Sequence, residues 1–120
     1  MRFVMLIAGD EKTSLKMSKE EGERIVAAYK AYMEDLQKAG VLLAGEALMP
    51  SATGARVTVT GGKRNVIDGP FSEAKEVIGG YFLIQVKSRE EALEWASRCP
   101  AAQYAPRSFV EVRPVMEFPA

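Results

Sequence analysis

Ser18-Lys19-Glu20-Glu21 begins the stretch that decides the fold. Its S-x-x-E spacing is a capping box, in which a serine hydroxyl and a glutamate side chain each satisfy an amide left unpaired at a helix start. Behind it, Ile25, Ala28, Tyr29, Tyr32 and Leu36 recur at helical spacing and form one apolar stripe. Gly40 stands where a glycine stop ends a helix. The spacing predicts a helix over 18–39. The same device returns in Ser88-Arg89-Glu90-Glu91, ahead of Ala92, Trp95, Ala96 and Cys99 on one face of a second helix.

Strands flank both helices. Phe3 to Ile7 is a short apolar run ended by Gly9-Asp10, and the polar residues 9–17 read as a loop. Val41 to Leu48 reads as a second strand, interrupted by Gly45. Arg56-Val57-Thr58-Val59-Thr60 alternates with period two, and Gly61-Gly62 supplies a hairpin turn into Asn65-Val66-Ile67. Gly80 to Val86 is a dense apolar strand. Phe109 to Val115 closes the chain, with Pro114 pointing to an edge or terminal position. The order is β-α-β, a hairpin, then β-α-β over a single domain, 1–120. Two such halves predict a ferredoxin-like α+β fold with the hairpin as an elaboration.

Composition removes several chemistries. The chain has 120 residues, 16 Lys+Arg against 16 Asp+Glu, no histidine and one cysteine. The balanced charge lends no support to nucleic-acid binding. Without histidine, the usual zinc site and the Ser-His-Asp and Cys-His arrangements are excluded. Cys99 alone forms no intrachain disulfide, which suits a reducing compartment. No stretch approaches the roughly 20 apolar residues of a membrane span. The run Met1 to Ala8 reads as a strand rather than a signal peptide, because Asp10-Glu11-Lys12 follow at once. The expected setting is the cytoplasm, with no cofactor, no metal, no nucleic acid and no membrane.

Two helices cover one face of a four-stranded sheet. Phe3-Val4-Met5-Leu6-Ile7 and Tyr81-Phe82-Leu83-Ile84 nevertheless place apolar side chains on both faces. Each large apolar side chain gains roughly 1.5–3 kcal/mol on burial, so the second face calls for a cover. A symmetric partner, sheet against sheet, is the simplest one, and a homodimer is expected. The alternative is that the inserted hairpin folds back over that face.

Asp68-Gly69-Pro70-Phe71-Ser72-Glu73-Ala74-Lys75-Glu76 concentrates charge around a rigid turn. Asp68 is the candidate acid, base or hydrogen-bond acceptor, or else its carboxylate closes the turn on backbone amides. Glu46, Asp68, Lys75 and Arg113 are the expected ligand contacts, Arg113 as a bidentate anion binder or, with Glu111, as an exposed ion-paired strand face. Tyr29 and Tyr32 read as core, with a phenol reaching a pocket as the alternative, and Cys99 as a small core residue, poorly placed for a thiolate at a helix C-terminus.

Val66 to Glu76, followed by Gly79-Gly80-Tyr81, resembles the signature of the DGPF family within the YCII-related proteins. Gly45-Glu46-Ala47-Leu48, Arg98-Cys99-Pro100 and Val110 to Val115 are similar to that family's other blocks. The resemblance implies a ferredoxin-like fold paired as a dimeric α+β barrel, in small bacterial cytoplasmic proteins whose genes often neighbour those of sigma factors. It implies no established activity. YCII relatives carry a proposed His–Asp pair, with the Asp before a proline; here no histidine exists and Cys99 precedes Pro100, so the pair does not carry over. The leading expectation is a dimeric small-molecule-binding or vestigial enzyme domain. The alternatives are a regulatory module linked to sigma-factor-dependent transcription, and catalysis with Asp68 or Glu76 as base.

Overall fold

The computed structural model describes residues 1–71, 76–104 and 106–119. Among these, the elements run β1 (Arg2–Gly9), α1 (Glu11–Leu15), α2 (Lys19–Lys38), β2 (Leu42–Ala47), β3 (Ala55–Thr60), β4 (Lys63–Asp68), β5 (Val77–Gln85), α3 (Arg89–Ser97) and β6 (Ser108–Pro114). Short 3-10 turns cover Ser51–Thr53 and Pro100–Gln103. One sheet has the strand order β2-β5-β1-β6, with every neighbouring pair antiparallel, and β3-β4 forms a separate hairpin. The protein is therefore a mixed α+β fold with antiparallel sheets and three helices among the described residues.

Local chemistry sets these boundaries. The Ser18 hydroxyl accepts from the Glu21 N–H at 3.1 Å, and the Ser88 hydroxyl accepts from the Glu91 N–H at 3.1 Å. Gly40, at φ 72°, ends α2 in the left-handed region. Gly61 and Gly62, at φ 56° and 78°, supply the two left-handed residues that a tight hairpin turn demands. The polar segment expected to be a loop contains α1. Asp10 caps it, accepting from the Lys12 N–H at 3.0 Å and the Thr13 hydroxyl at 2.9 Å. Five residues are too few to show an apolar period, so only the capping aspartate marks this helix in the sequence. Strand β5 begins at Val77, before the dense apolar run, because β1 pairs with it from Val77 onward.

The core lies between the sheet and its helices. Phe3, Met5, Leu36, Ile84 and Cys99 are fully buried. Tyr32 anchors α2 there, its ring edge-on to Phe82 at 5.4 Å and its hydroxyl donating to the Trp95 carbonyl at 2.7 Å. Glycine at position 45 is required by this packing, since a Cβ there would stand 2.6 Å from the Phe82 ring.

The other sheet face carries two rows of paired residues. Glu46, Tyr81, Leu6 and Glu111 lie side by side across β2-β5-β1-β6, and Ala44, Leu83, Val4 and Arg113 form the next row. Val4, Leu6, Tyr81 and Leu83 stay partly exposed. The hairpin does not fold back over them, for all six residues of β3 and all six of β4 are exposed. Among the described residues, no helix is long and apolar enough to cross a membrane.

Replacing Tyr32 by Phe deletes the buried bond to the Trp95 carbonyl and keeps the ring. The expected loss is about 1 kcal/mol of unfolding free energy, read from urea denaturation. An unchanged midpoint would show that the hydroxyl does not anchor α2.

Candidate functional site

The candidate site is an apolar-walled concavity. It is a cavity of about 270 Å³ at one end of the sheet, where the end of β1, the start of β5 and the segment Leu48–Pro50 meet α1 and the N-terminal half of α2. Ile7, Met17, Ile25, Leu48, Met49 and Ile78 supply apolar wall. Tyr104, Arg107 and Ser108 close one side, just before and within the start of β6.

A break in strand pairing shapes this end of the sheet. Ile7 pairs with Gly80, but Ala8 pairs with Ile78, so Gly79 is an extra residue in β5. Such a bulge bends its strand and turns side chains out of the regular alternation. Gly79 lines the cavity, and a Cβ added there would meet nothing within 4 Å. On the opposite wall, Gly9 lets β1 run close against the Arg107 carbonyl, which accepts from the Asp10 N–H at 2.9 Å.

The DGPF turn acts on this cavity from outside. At the start of the turn, the Gly69 N–H donates to the Gly54 carbonyl at 2.9 Å. A Cβ at position 69 would overlap the Ser51 carbonyl, so only glycine passes there. Ser51 is in turn gripped by Glu11, whose carboxylate accepts from the Ser51 N–H at 2.8 Å and from the Ser51 hydroxyl. These two bonds hold the Glu11 carboxyl below its ordinary range. Gly69, Ser51 and Glu11 thus clasp the hairpin base to α1, which forms one cavity wall. Phe71 adds a second fastening, with the Arg56 guanidinium 3.9 Å over its ring.

The expected ligand contacts are not brought together. Glu46 and Arg113 both lie on the outer sheet face, on opposite edge strands separated by three strand spacings, roughly 14 Å. Arg113 donates from Nε to Glu111 at 2.6 Å, the exposed ion-paired strand face considered from the sequence. Asp68 ends β4 opposite Ala55 and is exposed. Lys75, with Ser72, Glu73 and Ala74, lies outside the described residues. Among the described residues, no three acidic or cysteine side chains gather as a metal site.

The cavity's own polar residues escaped the sequence reading. Their marker shows only in the structure. A capping-box glutamate should turn back toward its own helix start, and Glu91 does so, accepting from the Lys87 N–H at 3.0 Å. Glu21 instead accepts from Arg107 Nη1 at 2.9 Å, across the fold. A helix-start side chain diverted from its local duty marks a site where tertiary demands outweigh local ones.

Burial raises the Tyr29 hydroxyl pKa well above its ordinary range, and the adjacent Cys99 adds to the shift. Burial also raises the Cys99 thiol. Both therefore stay protonated near neutral pH. Glu11 is ionised but saturated by Ser51. Among the described residues, the cavity thus offers hydrogen bonds, apolar contact and one carboxylate, Glu11, held by Ser51.

The YCII-related domain profile matches residues 1–119. The chain belongs to the YCII-related family. It is also 35% identical over 115 residues to an uncharacterized protein of Rhizobium meliloti (strain 1021), covering 96% of this chain and 92% of that protein. In this YCII-related domain, the position preceding Pro100 holds Cys99, fully buried beside the Tyr29 hydroxyl, so two protonated groups meet there.

Replacing Ser51 by Ala should let the Glu11 carboxyl titrate nearer its ordinary value of 4.5, measured by carboxyl-carbon NMR. Because folding depresses this pKa, the contribution to stability is present above 4.5 and is lost as pH falls through the folded value. The stability gap between wild type and S51A should therefore narrow on acidification. A gap that widens would show that the clasp does not act through the carboxylate.

Proposed function

We propose that this YCII-related protein is a small-molecule-binding or vestigial enzyme domain built around this pocket. The observation that carries the reading is the cavity itself, with apolar walls and ionisable groups already committed to internal partners. Sites of this kind bind by shape and apolar contact, with few polar groups to orient the ligand.

The proposal includes a homodimer. The strand order β2-β5-β1-β6 and the two helix crossovers fit a ferredoxin-like sheet. The half-exposed Val4, Leu6, Tyr81 and Leu83 on its outer face favour closure against a second copy as a dimeric α+β barrel. A two-fold pairing would also give Glu46, Glu111 and Arg113 partners at the seam, a role in assembly rather than in ligand contact. A second reading, a regulatory module tied to transcription initiation in a bacterial cytoplasm, draws on the β3-β4 hairpin. Val57, Val59 and Val66 are exposed there, a surface suited to a protein partner.

Light scattering on a sizing column should return twice 13.1 kDa for wild type. Leu83→Lys should shift it to the monomer mass, whereas a wild-type monomer would remove the paired sheet. A thermal-shift screen against a metabolite library tests the pocket. Ile78→Trp, at a half-exposed wall position, should abolish any ligand-induced shift while keeping the fold. Hits that persist in I78W would place binding elsewhere.

A further inference from the structure

We propose that the cavity selects an uncharged, largely apolar molecule with one hydrogen-bonding end, and discriminates against carboxylates and amines of the same shape. This rests on the reading of the cavity as the binding site and adds its ligand class.

Charge pairing carries the inference. Among the described residues, the charged side chains that line the cavity are Glu11 and Arg107. Arg107 is held by Glu21 at 2.9 Å, and the two side chains are only 35% and 33% exposed. Glu11 has each carboxylate oxygen on Ser51. A ligand entering here meets one carboxylate and one guanidinium, both with partners already. A carboxylate ligand would compete with Glu21 for Arg107 and be repelled by Glu11. An ammonium would shed water against aliphatic walls and reach Glu11 only in competition with the two Ser51 donors, which is costly.

The neutral donors and acceptors narrow the class further. The Ser14 hydroxyl donates to the Asp10 carbonyl at 3.2 Å, and the Ser108 hydroxyl donates to the Ala101 carbonyl at 2.7 Å. Tyr29 is turned toward Cys99. The neutral polar capacity that faces a ligand is concentrated at Tyr104, whose carbonyl accepts from the Arg107 backbone N–H at 2.8 Å. A single hydroxyl, ketone or amide on an apolar body matches that arrangement. At about 270 Å³ the cavity suits a molecule the size of a substituted benzene or an indole, near the lower end of the ~300–1,000 Å³ common for ligand pockets.

The experiment is an amide-resolved NMR titration of the full chain with phenylethanol, phenethylamine and phenylacetate. Phenylethanol should bind at least tenfold more tightly than either ion and move the amides of Ile78, Tyr104 and Arg107. Glu21→Gln should release Arg107 and raise the affinity for phenylacetate at least fivefold, with little change for phenylethanol. If an ion binds wild type as tightly as the alcohol, the charge selectivity is overturned while the pocket stands. If phenylacetate gains nothing in a folded E21Q, the ion pair is not the discriminating element and the proposal fails on that ground. If none of the three moves a cavity amide, the pocket reading falls with it.

Discussion

A four-stranded sheet covered by helices on one face alone is the constraint from which the other features descend. Phe3, Met5, Phe82 and Ile84 point to the helices and are buried, while Val4, Leu6, Tyr81 and Leu83 alternate to the other side and stay partly exposed. Strand geometry allows no compromise, since successive residues must face opposite ways. The core, the exposed outer face and the end-on cavity therefore share one origin. Helix α2 packs Tyr32 and Leu36 fully but leaves Ile25 and Tyr29 half-buried nearer its N-terminus. There the short α1 and the β1–β5 bulge border the cavity in place of continuous core.

The described start of the most distinctive motif packs against the hairpin base. Gly69 is needed because the chain passes against the Ser51 carbonyl, and Phe71 is placed under Arg56. Through Ser51 the turn reaches Glu11 and hence the wall. The motif's glycine is thus explained by close backbone approach to the Ser51 carbonyl.

The Glu21–Arg107 pair has a similar character. Local rules assign Glu21 to its helix start, and the Ser18 half of that capping box is formed. The glutamate half is surrendered to an arginine far along the chain. A partly screened pair of this kind contributes modestly to stability. Its larger effect is on the field inside the cavity, where it leaves no cation without a counter-charge among the described residues.

Much of the architecture was legible in the residues alone. Helix α2, α3, the β3-β4 hairpin and the strand runs followed from capping serines, apolar period and paired glycines, all of which act within a few residues. Helix α1 was missed because five residues carry no period. The two-sided apolar character of β1 and β5 was legible too, since alternation is a local property. The site was not. Glu46, Asp68 and Arg113 looked like a cluster because each is charged and lies near a turn or strand end, but strand order puts Glu46 and Arg113 on opposite edges and Asp68 on the hairpin. Only the tertiary structure joins Glu21 to Arg107, Glu11 to Ser51, and Tyr29 to Cys99. Those contacts span tens of residues, and one-dimensional spacing holds no record of which distant side chains the sheet register will bring face to face.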